Sequence, residues 1–242
     1  WAIHPQGSLQ ITESYFLTEP PEVIPEELEQ FRATHWASSL TSLSHDSITN
    51  IVRTEITTPH IASPDVHVDE ANQQIVMYFH GLEDVRYQVT RAAVSQDGIH
   101  FEARPEILGR SYMRAFAHDD SIYAMSMPGQ FYRSEDGFSG FEEGPLLFSG
   151  GLDVGDLLPP GSGAINSNMR HAALLTQDDR LYVFWTQVGH VPERIMVSTI
   201  DMTGDWMNWS ATDPVEVLRP ERDWEGADAP LEPSRRGTAY GH

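Results

Sequence analysis

One pattern of residues occurs three times along this chain of 242 residues, and it constrains the fold more than any other feature. In each copy an extended segment reaches an acidic turn, and an apolar run then ends in a Gly loop. A second extended segment follows, and a Pro then introduces a short aliphatic strand. The copies cover Ser63–Leu108, Ser111–Phe148 and Asn168–Leu218. The pattern predicts three copies of one structural unit.

The composition of each copy is typical of strands. Runs of β-branched and aromatic residues are bounded by Gly, Asp, Asn or Pro. The Gly that closes the second strand recurs after 48 residues, from Gly81 to Gly129, and after 60 residues, from Gly129 to Gly189. Both intervals are near the ~40–50 residue period of propeller blades. We therefore predict an all-β fold, a β-propeller of the five-bladed type with four-stranded antiparallel blades, of which about three are complete.

The predicted blades cover about residues 63–110, 111–150 and 168–218. We expect residues 1–242 to form a single domain that is cut at both ends, because a closed ring of about five blades needs more residues. Residues 1–57 are interpreted as the outer strand of a preceding blade plus a connection. That connection contains one short helix at PPEVIPEELEQFRAT, where prolines precede an acidic first turn.

Two acidic turns lie at the same place in the first two copies, SQDGIHF and SEDGFSGF. In each, Asp can accept nearby backbone amides and Gly can supply a positive φ. They resemble the Asp-box turns of propeller glycosidases, and the third copy, DMTGDWMNW, is degenerate.

Charge and composition narrow the range of partners. The chain has 36 acidic and 15 basic residues, all of the latter Arg, and a formal charge of −21. Such a field repels phosphate and anionic lipid, so we expect neither nucleic acid nor a membrane surface as partner, and a neutral or cationic ligand instead. No apolar run approaches the roughly 18 residues needed to span a bilayer, and WAIHPQGSLQ is not a signal peptide. A soluble protein is predicted, and its compartment stays open.

No cofactor is expected to be required. The chain has no Cys and therefore no thiolate chemistry. The 11 histidines include no metal-spaced pair, because His67 and Asp69 are only two residues apart on one strand. We predict no metal ligands, and a structural cation such as calcium is left open.

The order of strands indicates where a pocket would form. In an antiparallel four-stranded blade, the start of the first strand and the loop between the second and third strands lie on one face. The loops on this face contain His80 and Glu193. The starts of three first strands contain Asp65, Arg114, Arg170 and His171. Carboxylate, Arg and His together suit a sugar-binding pocket. The predicted substrate-binding residues are His60, His80, Arg114, Arg170 and His171.

Each candidate also has a purely structural interpretation. Asp65 follows Pro64 and could accept backbone amides in a turn. His80 could be a fully hydrogen-bonded histidine at a strand end. Arg114 and Arg170 could bridge to the acidic rim, and Glu193 could be a solvated loop residue.

The stretch HIASPDVHVD, followed by IVMYFHG, resembles the five-bladed propeller glycoside hydrolases, nearest to the family 43 type. In those enzymes an Ala-Pro-Asp-Val motif of the second blade precedes a Tyr-rich strand. The resemblance covers Ser63 to about Ile200. It implies carbohydrate as ligand and hydrolysis of glycosidic bonds by paired carboxylates, one an acid and the other a base or nucleophile.

The resemblance implies roles for three carboxylates. Asp65 would orient substrate or tune the pKa of the general acid. The base normally stands in an Asp-Pro motif, but Asp213-Pro214 lies at an outer strand, so the base would belong to a blade outside this chain. EEGP at Glu142–Pro145 is similar to the acid's Glu-Gly-Pro motif but also lies at an outer strand. Glu193 and Glu225 are therefore the alternative acids. The alternative function is a non-catalytic carbohydrate-binding or protein-interaction propeller.

Overall fold

The computed structural model describes residues 11, 13–32, 44–85, 87–148, 169–231 and 233–234. These residues form mostly β-strands, arranged in three antiparallel sheets. The chain divides into two compact units. The first runs to Met113 and also includes Phe138–Gly140, and the second begins at Arg114 and contains the remaining described residues.

The described residues of the first unit form two helices and one sheet. The helices are α1, Pro25–Arg32, and α2, His45–Thr57. The sheet has the order β1-β2-β3-β4, and β5 also pairs with β3. Its strands are β1 (Ile61–Asp69), β2 (Gln74–Asp84), β3 (Tyr87–Ser95), β4 (Glu102–Ala103) and β5 (Gly109–Arg110). Within the described ranges, neither helix has the length and apolar character required to cross a bilayer.

Helix α1 was predicted from the sequence and is confirmed, whereas helix α2 was missed. Ser44 caps α2 by accepting the backbone N–H of Ser47 at 3.2 Å. Ile48, Val52 and Ile56 recur every four residues on one side of α2, and they pack in a cluster with α1. The interpretation of residues 1–57 as a strand and a connection with one helix is thus wrong for residues 45–57. The expected strand over the first ten residues lies outside the described part of the chain.

The core of the first unit covers one face of its sheet. Met77 and Phe79 of β2 are buried there together with Val89 and Phe16. The rings of Phe16 and Phe79 meet edge to face at 5.6 Å. Gly81 permits this close approach, because a Cβ at this position would lie 2.5 Å from the Phe16 ring and 2.6 Å from the carbonyl oxygen of His60. The Gly that the sequence pattern placed at the end of the second strand thus lies inside β2, before its last three residues, and is required there by packing.

In the second unit, the residues that the structure describes form two four-stranded antiparallel sheets, with the orders β6-β7-β8-β9 and β10-β11-β12-β13. The first has strands β6 (Arg114–His118), β7 (Ser121–Ser126), β8 (Gln130–Ser134) and β9 (Glu142–Leu146). The other has β10 (Met169–Gln177), β11 (Arg180–Gln187), β12 (Ile195–Asp201) and β13 (Val215–Leu218). The strands of each sheet pair in chain order, as a blade requires. The predicted fold class, mostly β with four-stranded antiparallel blades, is confirmed.

The core of the second unit is rich in aromatic residues. Phe131 of β8 and Trp185 of β11 share one buried cluster with Trp206, which lies in a short 3-10 helix. The Trp206 ring covers Gly144 of strand β9, where a Cβ would lie 2.0 Å from a ring carbon. The Gly in EEGP is thus explained by packing, and it provides no evidence for a catalytic motif.

The two predicted Asp-containing turns are confirmed. After β3, Asp97 Oδ1 accepts the backbone N–H of His100 at 2.8 Å, and Asp97 Oδ2 lies 2.7 Å from His100 Nδ1. These bonds hold the pKa of Asp97 well below its usual range. After β8, Ser134 Oγ accepts the backbone N–H of Gly137 at 3.0 Å, and Gly137 has a φ of 74°.

Candidate functional site

The predicted site residues are divided between the two units. The first unit contains the Asp65 cluster, which we define as His60, Asp65, His67, Tyr78 and His80. The second unit contains the Arg170 cluster, which we define as Arg114, Arg170, His171 and Glu193. Glu225 also belongs to the second unit, in a separate segment.

The position of Asp65 is set by a bulge in β1. Ala62 pairs with His80 and Asp65 pairs with Tyr78, so β1 has one residue more than β2 over this step. Ser63, within the bulge, has a φ of 51°. After the bulge the strand is regular, and Asp65 and His67 lie on the same face because side chains alternate along a strand.

The carboxylate of Asp65 is in contact with His67. Asp65 Oδ2 lies 2.8 Å from His67 Nε2, and the side chains are 20% and 39% exposed. The ring of His67 meets the buried ring of Tyr78 edge to face at 5.8 Å. The sequence analysis did not include His67 in the site. The i,i+2 spacing of Asp65 and His67 is the signal that could have revealed the pair.

The other two histidines of the Asp65 cluster lie near each other, with ring centroids 6.0 Å apart. His80 is only 7% exposed, and its Nδ1 accepts the backbone N–H of Tyr112 at 3.2 Å. His60 Nδ1 lies 2.7 Å from the carbonyl oxygen of Thr58, to which it can only donate. The buried position and backbone bond of His80 agree with its structural interpretation.

A second bulge places two residues of the Arg170 cluster. It lies in β10 between Met169, which pairs with Gln187, and Ala172, which pairs with Trp185. Arg170 and His171 are therefore within the bulge. Ala172 follows this bulge as Asp65 follows the bulge of β1. Asp65 therefore corresponds to Ala172 and not to Arg170 or His171, which lie within their bulge, so the register expected from the sequence is displaced.

Side chains from three segments meet in the Arg170 cluster. Arg170 Nη1 lies 3.1 and 3.3 Å from the two carboxylate oxygens of Glu193, in the loop between β11 and β12. Arg114 of β6 donates from Nε to the carbonyl oxygen of Ala172 at 3.3 Å. The Arg170 side chain is 12% exposed and that of Glu193 is 38% exposed. The predicted residues of this unit other than Glu225 are therefore brought together.

Two histidines in this part of the second unit are held towards their neutral form. Desolvation lowers the pKa of His171, and repulsion by Arg170 and Arg114 adds to this effect, whereas Glu193 opposes it. Desolvation also lowers the pKa of His190, with a further contribution from Arg194. Neutral imidazole can both donate and accept hydrogen bonds, as sugar hydroxyls require.

Glu225 has a different environment from the cluster. It lies in an exposed 3-10 helix, Asp223–Glu225. Its Oε2 accepts the backbone N–H groups of Glu221 at 2.8 Å and of Arg222 at 3.2 Å. These bonds give Glu225 a capping role in its own turn. Its role as a general acid stays a prediction.

No group of three or more His, Asp or Glu residues that could hold a metal ion occurs within residues 11–234 as far as the structure describes them. Calcium therefore stays an open question for this chain. A cavity of about 650 Å³ does lie in the first unit. It is lined by residues that include Glu13, Tyr15, Asp97, His100 and Glu102, and it contains none of the predicted site residues.

Comparison with known proteins gives one curated relative. No family model matches the chain. The uncharacterized protein R118 of Acanthamoeba polyphaga mimivirus is 37% identical over 187 residues, which are 76% of this chain and 52% of that protein. The chain thus spans about half the length of this relative.

Several solved structures are similar in part. A thermostable family-43 glycoside hydrolase has a TM-score of 0.48 and 16% identity, over 70% of this chain and 56% of that one. The catalytic domain of the GH62 α-L-arabinofuranosidase of Coprinopsis cinerea has a TM-score of 0.46 and 12% identity, over 64% of this chain and 50% of that one. Zg3597, a family 117 glycoside hydrolase of Zobellia galactanivorans, has a TM-score of 0.43 and 8% identity, over 63% of this chain and 54% of that one. These similarities are low, and none assigns an activity to this chain.

Proposed function

We propose that this chain binds carbohydrate as part of a glycoside hydrolase that acts on oligo- or polysaccharides. The observation that carries this proposal is the partly exposed Asp65 carboxylate, bonded to His67 on the first strand of a sheet. It lies within SPDV, the stretch that resembles the propeller glycoside hydrolases. In this role Asp65 accepts hydrogen bonds from sugar hydroxyls, or its charge raises the pKa of a nearby general acid.

Glu193 is better suited to binding than to acid catalysis. A general acid must carry a proton that it can donate to the leaving oxygen. Arg170 Nη1 instead contacts both oxygens of the Glu193 carboxylate, so both are already engaged in hydrogen bonds within the cluster. We therefore assign Glu193 to ligand binding, and we expect the catalytic pair to involve a carboxylate outside the Arg170 cluster.

The capped Glu225 and the ion-paired Glu193 favour a second candidate, a carbohydrate-binding propeller without turnover. Both candidates predict sugar binding, and they differ in product release. The decisive experiment measures binding of the 242-residue chain to a glycan panel and hydrolysis of aryl glycosides by the same preparation. Released product supports the hydrolase, and binding without product supports the second candidate.

The matched variants are Asp65→Asn and Glu70→Gln. Both remove one carboxylate charge with little change of shape, and Glu70 is an exposed residue of the turn after β1. We expect Asp65→Asn to weaken glycan binding by about 10- to 100-fold, the value of a hydrogen bond to a charged group. Glu70→Gln should bind like the parent. Equal binding by the two variants would exclude Asp65 from the site, and absence of glycan binding by the parent would refute both functions.

A further inference from the structure

The Arg170 cluster contains more cationic than anionic side chains, whereas the whole protein is acidic. The chain has a formal charge of −21, whereas this cluster contains two guanidinium groups and one carboxylate. Arg114 and Arg170 both lower the pKa of His171, so both act on the same small region. The cluster is therefore a local site of positive charge on an acidic protein, and such local potential attracts anionic ligands.

The geometry of Arg170 leaves donors for a ligand. Both of its contacts with Glu193 are made by Nη1. A guanidinium group has five N–H donors in a fixed planar arrangement. Within the described part of the chain no hydrogen bond is found from Nε or Nη2 of Arg170, and its side chain reaches solvent. An edge with two parallel N–H groups matches the two oxygens of a carboxylate or a sulfate.

His171 is suited to the same ligand. It neighbours Arg170 in the bulge of β10 and is exposed to solvent. The charged groups that act on it are Arg170 on its own strand, Arg114 on β6 and Glu193 in the loop between β11 and β12. A neutral imidazole can donate a hydrogen bond to an anion without the cost of desolvating a third cation.

We propose that the Arg170 cluster binds an anionic sugar, in which a carboxylate or a sulfate ester contacts the guanidinium group of Arg170. This inference rests on the carbohydrate binding proposed above and specifies the class of sugar. Glu193 engages only Nη1 of Arg170, and the paired oxygens of a carboxylate or a sulfate ester fit the edge formed by Nε and Nη2, whereas a single sugar hydroxyl does not. Glu193 orients Arg170, and Arg114 provides the second positive charge.

The test compares matched ligands on the intact chain by calorimetry. The charged probes are an oligogalacturonate, for the carboxylate, and a sulfated galactan oligosaccharide, for the sulfate ester. The neutral reference is the methyl-esterified oligogalacturonate, which has the same sugar and linkage without the charge. We expect one charged probe to bind at least about tenfold more tightly than the ester, with affinity that falls as salt is added. The probe that binds identifies the source of the anion.

The matched variants are Arg170→Gln and Arg180→Gln. Arg180 is an exposed residue at the start of β11 in the same unit. Arg170→Gln should weaken binding of the charged probe by at least about tenfold and remove its preference over the ester, whereas Arg180→Gln should leave the affinities for both probes within about twofold of the parent. Arg114→Gln serves as a second variant if Arg170→Gln does not fold, and it should reduce the preference for the charged probe.

A second measurement separates ligand contact from a structural role. An anion bound at the cluster should raise the pKa of His171, which NMR titration of its ring protons can follow, and the ester should not. Equal affinity for the ester and both charged probes would overturn the inference and leave carbohydrate binding intact. Binding of none of these glycans, nor of any in the wider panel, would overturn the proposed function as well.

Discussion

The Asp65 cluster and the Arg170 cluster use the first strands of their sheets in different ways. Both include a strand that is interrupted by a bulge. In the Asp65 cluster, strand register brings the polar groups together, since Asp65 and His67 are two residues apart on β1. In the Arg170 cluster, side chains from β6, β10 and a loop must reach one another. Backbone pairing therefore positions the first cluster, and an ion pair positions the second.

This difference predicts that the two clusters respond in opposite ways to mutation. The Asp65 cluster should tolerate a change of its carboxylate but not a displacement of the strands beneath it. The Arg170 cluster should lose stability and change its titration when the carboxylate of its ion pair is removed. The variants below test this contrast, and they are arranged from the largest expected effect to the smallest.

Gly81→Ala should have the largest effect, because it disturbs the backbone that supports the Asp65 cluster. The new Cβ would lie 2.6 Å from the carbonyl oxygen of His60 and 2.5 Å from Phe16, so strand β1 must move. We expect the free energy of unfolding to fall by about 1–3 kcal/mol, the usual cost of overpacking. Urea denaturation measures it. Glu70→Ala, in the exposed turn, is the control and should stay within about 0.5 kcal/mol of the parent.

Glu193→Gln should destabilise the second unit by about 1 kcal/mol, since Arg170 is mostly buried and loses its charged partner. The same variant should lower the pKa of His171 further, because Glu193 is the group that raises it. Arg114→Gln should have the opposite effect, because Arg114 lowers this pKa. NMR titration of His171 in both variants gives the direction of each change in its pKa. An unchanged pKa in both would show that the cluster is not assembled as described.

Much of the fold was predictable because strand pairing is a local, repeated signal. The first three runs in each copy became paired strands, and packing leaves no room for a side chain at Gly81. The fourth run of the first copy, Pro105–Leu108, is not a strand, and the short strands Glu102–Ala103 and Gly109–Arg110 lie on either side of it. Helix α2 was missed, although Ile48, Val52 and Ile56 recur with helical spacing. Its apolar positions are few and its other residues are mostly polar, so the periodicity was weak against the strong strand signals that follow it.

The sequence indicated which residues lie near one another more than their geometry. The rule for strand starts placed Arg114, Arg170, His171 and Glu193 on one face, and they do meet, while their role in binding stays a prediction. It could not show that each bulge inserts a residue, because a bulge leaves no fixed trace in a single sequence. The net charge of −21 favours a neutral or cationic ligand, and this stays a prediction. Net charge does not report the local field, which depends on which side chains meet.

Acidification should weaken the second unit through His171 and His190. The pKa values of His171 and His190 are lowered in the folded protein, whereas in the unfolded chain they are about 6.5. Below that pH the unfolded chain binds protons first, so stability present above about pH 6.5 is lost as the pH falls towards the folded pKa values.

The variant His171→Asn/His190→Asn tests this loss. It should reduce the drop in unfolding free energy between pH 7.5 and 5.5, by less than about 1 kcal/mol given partial exposure. Arg180→Gln is the control that leaves both histidines in place. The same drop in the double variant as in the parent would assign the acid sensitivity to other groups.

Asp65→Asn should have the smallest effect on stability, within about 0.5 kcal/mol in urea denaturation. Asn keeps an oxygen that can accept the bond from His67, and the register of β1 with β2 does not depend on the charge. The contrast with Glu193→Gln is informative because both changes convert a partly exposed carboxylate into an amide. If Asp65→Asn instead cost as much as Glu193→Gln, the carboxylate would be part of the structural support. A stable variant that no longer binds glycan would show that Asp65 is kept for its ligand.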